Sequence, residues 1–239
     1  MLEIYYALLL QDHQQRLQYA IRFTQLATQI DFLNNVLMSD EAHFHLNGYV
    51  NKQNCRLWGS ENPRATHQHQ LHPSKCTVWC GVMATRVIGP YFFENEDETP
   101  ESISGASYRT LIENFLRPMA EQYPNLWFQQ DGATAHTARQ TMDLLREIFG
   151  ERLISKNSDF PWPPRSPDLT APDFFLWGYL KDKVYLNKPE TIRQLKQNIR
   201  DEILSLQPET LCGVMENALK RANLCIEKNG GHLSDVIFH

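Results

Sequence analysis

The chain has 239 residues, 42% of them hydrophobic and 21% charged, which is enough to bury a full core in one large domain and excludes a disordered or fibrous protein. No apolar run approaches the roughly 20 residues that span a bilayer, and no basic segment precedes the apolar residues 5–10 as a signal peptide would require. The formal net charge of −5 argues against strong nucleic-acid binding by bulk charge, although clustered carboxylates can mask a local basic face.

In chain order, residues 11–30 place Leu17, Ala20, Ile21 and Leu26 at helical spacing, which predicts an amphipathic helix leading into the core. Val36-Leu37-Met38 predicts a short buried strand ending at Ser39-Asp40. Residues 76–83 are rich in β-formers and run on to Tyr91-Phe92-Phe93, predicting two strands that turn near residues 86–89. A helix is predicted over residues 108–122, with Leu111, Ile112, Phe115 and Leu116 on one side. Residues 126–131 read as a strand stopping at Gly132, residues 137–149 as a helix, and Leu153-Ile154 as a brief strand. Five prolines between Ser158 and Pro172 exclude regular structure there, and a helix is predicted from Pro172, since proline suits a first turn. Two more helices are predicted, over residues 190–206 and 208–227. The order implies an α/β fold, a mixed sheet flanked by helices with a helical C-terminal tail.

Two aspartates close predicted strands, Asp40 and Asp131, and sites in α/β sheets form at the carboxyl ends of strands. Asp173 opens the helix after the proline-stiffened loop, which can aim its carboxylate at the same point. Three such acids supply the hard oxygen ligands that magnesium and manganese prefer. Two ions held about 3.5–4 Å apart can serve phosphodiester chemistry. Taken singly, each acid has a plainer use as a turn residue, a helix cap or a charge at a helix start.

The wording around these acids is more specific. Ser39-Asp40-Glu41-Ala42-His43-Phe44, then Phe128-Gln129-Gln130-Asp131-Gly132-Ala133 with His136, then Ser166-Pro167-Asp168-Leu169-Thr170-Ala171-Pro172-Asp173-Phe174 closely resemble three catalytic blocks of mariner-like DNA transposases. Asn47-Gly48-Tyr49-Val50-Asn51 and Cys55-Arg56-Leu57-Trp58-Gly59 resemble the same family. The resemblance runs from about residue 31 to 180, with weaker similarity before and after.

That resemblance implies a ribonuclease-H-like fold over residues 31–239, preceded by a linker helix region at residues 1–30. The family's helix-turn-helix DNA-binding domain is expected upstream of this sequence. It implies a cut-and-paste transposase, in which water attacks a phosphodiester at the transposon end and the freed 3′-hydroxyl attacks target DNA. Asp40, Asp131 and Asp173 match the three catalytic, metal-binding acids, with two Mg2+ ions as cofactor and Mn2+ able to substitute. The implied partners are double-stranded DNA, as transposon ends and target, and a second copy of the full-length protein. The implied compartment is the nucleus. The 41 residues between Asp131 and Asp173 exceed the interval of the best-known mariner elements and indicate a divergent branch with a longer loop around residues 160–165. Arg165 stands where the family commonly has an aromatic residue.

His136 is an auxiliary candidate, able to contact the scissile phosphate or orient a metal-bound water, or simply structural. Asp168 is a rival third ligand whose plainer role is to hold the Ser-Pro-Asp turn. Glu41 follows Asp40 and would point to the opposite face of a strand. His43, His45, His67, His69 and His72, with Cys55, Cys76 and Cys80, fit no standard zinc spacing. Cys76 and Cys80 would share one face of a strand as small apolar groups, and the odd, scattered set of five cysteines suits free thiols. The acidic run from Glu94 to Glu101 reads as a solvated connection. Trp58, Trp162 and Trp177 have side chains that can stack on unpaired bases, but Trp177, at helical spacing with Phe174 and Leu180, reads as core. No particular Lys or Arg stands out as a DNA contact. The competing readings are another nuclease of the same fold, an inactive or host-adopted fragment that only binds DNA or protein, and a zinc-dependent hydrolase using the His and Cys residues.

Overall fold

A computed structural model describes residues 8–29, 31–48 and 74–233. Cys55, Trp58, His67, His69 and His72 therefore lie outside the described residues. Within them the strands are β1 (Val36–His45), β2 (Lys75–Val82), β3 (Val87–Phe92), β4 (Trp127–Gln129) and β5 (Leu153–Ile154). They form a mixed five-stranded sheet in the order β3-β2-β1-β4-β5, with β1–β2 and β2–β3 antiparallel and β1–β4 and β4–β5 parallel. The hairpin between β2 and β3 turns at residues 83–86, earlier than the sequence suggests, and Pro90 is accommodated because β3 is an edge strand.

Alternation along β1 builds two cores. Val36, Met38, Ala42 and Phe44 project to one face, where they meet Cys76, Val78, Cys80 and Val82 of β2. That face is covered by α1 (Leu10–Ala27), α6 (Trp177–Lys183), α7 (Ile192–Ser205) and α8 (Pro208–Glu227). Leu37 and Trp79 project to the other face, under α2 (Gly105–Leu111), α3 (Arg117–Gln122) and α5 (Arg139–Phe149). A short α4 (Thr134–Thr137) links β4 to α5. The helix expected over residues 108–122 starts earlier and is interrupted by a wide π-helical turn, Ile112–Leu116. The helix expected from Pro172 likewise opens with a π-helical turn, Pro172–Leu176, in which the Trp177 N–H reaches back five residues to the Pro172 carbonyl.

Helix α1 belongs to the first core. Tyr19, Ala20 and Phe23 are buried in it, and two charged residues one turn apart grip the proline-rich loop. The Arg16 guanidinium is fully buried and holds both Asp168 oxygens, at 2.8 and 2.6 Å, together with the Ser166 hydroxyl and the Gly230 and Gly231 carbonyls. Asp12 accepts from Arg165, whose backbone sits at a positive φ of 51°. The loop is thus held through side chains, with only a 3-10 turn at Pro167–Leu169. The acidic run is exposed from residue 95 to 101, as expected of a solvated connection, while Glu94 pairs with the buried Lys196 of α7 and Glu98 approaches it.

Candidate active site

Sheet register explains how two acids 91 positions apart in sequence come together. In the parallel pair, Met38 lies opposite Gln129, so two residues further along Asp40 and Asp131 fall in the same row. Asp40 does not end its strand as the sequence suggests, since β1 continues to His45 against β2. It sits where the parallel partner β4 has stopped, which opens a cleft beside it while β2 keeps its backbone paired. Asp173 enters from the π-helical turn packed over β1 and β2. Asp40, Asp131 and Asp173 all line one cleft of about 810 Å³, walled by Gln15 and Gln18 of α1, Lys156 and Asn157 after β5, and the loop from Pro161 to Pro167.

The electrostatics of the three acids differ. Burial pushes the Asp40 carboxyl well above its usual range, and the nearby charges of Asp173, Glu41 and Asp131 push it further; the Trp177 indole N–H, 2.8 Å from Oδ2, works the other way. Burial would also raise Asp131, but His136, at 2.5 Å from Oδ1, and the Ala133 N–H outweigh it and hold this carboxyl below its usual range. His136 is itself buried, which disfavours its charged form, yet Asp131 on Nδ1 and Glu41 at 3.2 Å from Nε2 lift it to about 10. Glu41 lies within ion-pair distance of Nε2 but is not aligned for a hydrogen bond. Lys181 of α6 feels Asp173 and Asp40 as well, although burial leaves its ammonium below the usual lysine range.

The His136 ring is fixed from the second core. It packs at a tilt of 32° against Tyr108, with ring centroids 4.1 Å apart; the Tyr108 hydroxyl donates to Gln130 Oε1 at 2.8 Å, and Gln130 Nε2 donates to the His136 carbonyl and to Ser155 Oγ. Asp168, in contrast, does not line the cleft. Both its oxygens face Arg16, and the Leu233 N–H donates to Oδ2. Trp162 lines the cleft but is buried edge-on against Tyr19, and Trp177 is core with its polar edge turned to Asp40. Cys76 and Cys80 are buried free thiols on the first-core face, both pushed upward by burial, and His43 bonds the Thr77 hydroxyl.

Among the described residues no three His, Cys, Asp or Glu side chains converge closely enough, as they stand, to hold a metal ion. The donor set nonetheless fits a hard divalent cation. All three groups are carboxylates, and the negative charges of Asp173, Glu41 and Asp131 gather around Asp40. Sequence reasoning missed three contributors: Trp177 as the partner of Asp40, Glu41 as the second carboxylate on His136, and Lys181. An indole at helical spacing from the motif acid was the only sequence signal for any of them.

A mixed five-stranded sheet in this order, with helices on both faces, defines a ribonuclease-H-like fold. The solved structures that share it include Mos1 transposase. The Mos1 paired-end complex with left transposon end superposes with a TM-score of 0.76 at 16% identity, over 97% of this chain and 66% of that one. The mariner Mos1 paired end complex with Mg gives 0.76 at 17% identity, over 98% and 66%. The catalytic domain of Mos1 mariner transposase gives 0.72 at 16% identity, over 97% of this chain and 100% of that one. The chain therefore spans about two thirds of the Mos1 chains in the DNA complexes and all of the catalytic domain. At such identity the likeness is one of fold. No protein-family model matches the sequence, and no curated protein does.

Proposed function

We propose that this chain is the catalytic core of a mariner-like DNA transposase, a nuclease and strand transferase acting on phosphodiesters at transposon ends and in target DNA. The observation that carries the reading is the convergence of Asp40, Asp131 and Asp173, one from each resembling sequence block, on a single cleft. Structures of a transposase with a transposon end and with magnesium share the fold. Asp40, Asp131 and Asp173 would hold two divalent ions, and these would supply positive charge to the attacking and leaving oxygens of an in-line displacement. The chain's own residues do the rest. Trp177 fixes one Asp40 oxygen, His136 and the Ala133 N–H fix Asp131 Oδ1 and leave its second oxygen for the cleft, and the π-helical turn carries Asp173. End recognition, pairing with a second copy and action in the nucleus belong to the same proposal for the whole protein.

Metal binding tests this reading. Titration with Mn2+, followed by loss of the free-ion paramagnetic resonance signal, is expected to show saturable binding that Asp40→Asn or Asp173→Asn removes and Asp168→Asn leaves. Binding that persists in both cleft variants would overturn the ligand assignment.

A further inference from the structure

A third strand, β5, lies beside the one that delivers Asp131. Gln129 lies opposite Ile154 in the parallel β4–β5 pair, and the Gln130 N–H continues the ladder to the Ile154 carbonyl at 3.0 Å. Beyond Ile154 the chain turns, and Lys156 sits in that turn beside Gly132, the residue that follows Asp131. The lysine stem runs directly over Gly132, where an added Cβ would come within 3.1 Å of Lys156 Cδ. Its turn is pinned by Ser158, whose hydroxyl donates among the carbonyls of Leu153, Ser155 and Phe160 and accepts the Ser155 N–H. Lys156 is exposed and lines the cleft.

The cleft has one other cation in its lining, Arg165, and that one is engaged by the buried Asp12. Among the described residues Lys156 has no ion-pair or hydrogen-bond partner, so its ammonium is available to a ligand. A cleft lined by carboxylates with an unengaged cation at its edge suits a polyanion. Its reacting phosphate would meet the acids while a neighbouring phosphate meets the lysine.

We infer that Lys156 is a backbone-phosphate contact for the DNA that enters this cleft, setting the path of the strand past Asp40 and Asp131. This rests on the transposase reading and deepens it by naming a substrate contact at the same site. The phosphate-contact role requires positive charge and no base preference.

The test is the salt dependence of binding of a 20-base-pair duplex of arbitrary sequence, by fluorescence anisotropy, to the wild-type chain, Lys156→Ala, Lys156→Arg and the exposed control Lys220→Ala on α8. Lys156→Ala is expected to weaken binding and to lower the slope of log K against log salt by about one. Lys156→Arg and Lys220→Ala should keep the wild-type slope. Wild-type binding with an unchanged slope in Lys156→Ala would overturn this inference and leave the transposase reading standing. Failure of the wild-type chain to bind the duplex at low salt would overturn both.

Discussion

The Trp177 indole N–H donates to Asp40 Oδ2 at 2.8 Å, tying the first strand's acid to the helix that begins with the third. Asp173 and Trp177 are four residues apart around the π-helical turn, and both act on Asp40. Wide turns of this kind recur at functional sites because the extra residue re-aims side chains that a regular helix would direct elsewhere. The donor is a first support of a site acid, comparable to the outer hydrogen bonds that orient metal ligands.

Trp177→Phe should keep most of the packing and delete this hydrogen bond. Stability is expected to fall by about 1–2 kcal/mol, and metal affinity or activity by roughly 10–100-fold. Urea denaturation and the Mn2+ titration measure the two separately. An affinity equal to wild type would show that Asp40 needs no such anchor.

Arg16 and Asp168 form a fully buried, two-pronged ion pair between α1 and the loop that leads to Asp173. Removing one partner strands the other charge out of water. Arg16→Ala is therefore expected to cost roughly 3–5 kcal/mol, read as a lower denaturant midpoint. Asp168→Ala should behave similarly while leaving metal binding in the folded fraction. A loss below about 0.5 kcal/mol, the range of ordinary surface changes, would contradict this.

Much of this was legible in the sequence, and the failures have physical causes. The apolar runs at Val36, Trp127 and Leu153 mark strands because both faces of a central sheet are buried. The strand end at Asp40 was misplaced because a carboxylate inside a strand looks like a stop, while β2 pairs β1 on to His45. The π-helical turns were invisible, since a single widened turn carries no residue signature of its own. The motif acids could be picked out, but their partners are long-range. Trp177 meets Asp40, Glu41 meets His136 and Lys156 falls beside Gly132 through register and packing that no local pattern encodes.

Asp12 gives a pH prediction remote from the cleft acids. Burial would raise its carboxyl, but the Leu9 N–H, Arg165 and His13 hold it below the ordinary value of 3.8. A depressed carboxyl contributes stability that is present above its unfolded value and is lost as pH falls through the folded one. The stability gap between wild type and Asp12→Asn should be constant above about pH 5 and shrink steadily as pH falls below about 4. A gap that widens with acid would reverse the assigned sign.

Gathered carboxylates also make metal a stabilising ligand. A group that binds only the folded chain raises its stability by mass action, about 2.7 kcal/mol at a hundredfold excess over Kd. Millimolar Mg2+ or Mn2+ should therefore raise the melting temperature of the wild-type chain, and Asp40→Asn should abolish the rise. An equal rise in both would place the ions elsewhere on the surface.

The most direct single measurement is manganese-dependent nicking of supercoiled plasmid by the wild-type chain beside Asp40→Ala, Asp131→Ala, Asp173→Ala and Asp168→Ala, each first shown to be folded by circular dichroism. Nicking is expected from the wild type and from the folded fraction of Asp168→Ala, and to vanish in the three cleft variants. Nicking that survives the loss of Asp173 but disappears with Asp168 would contradict the proposed site.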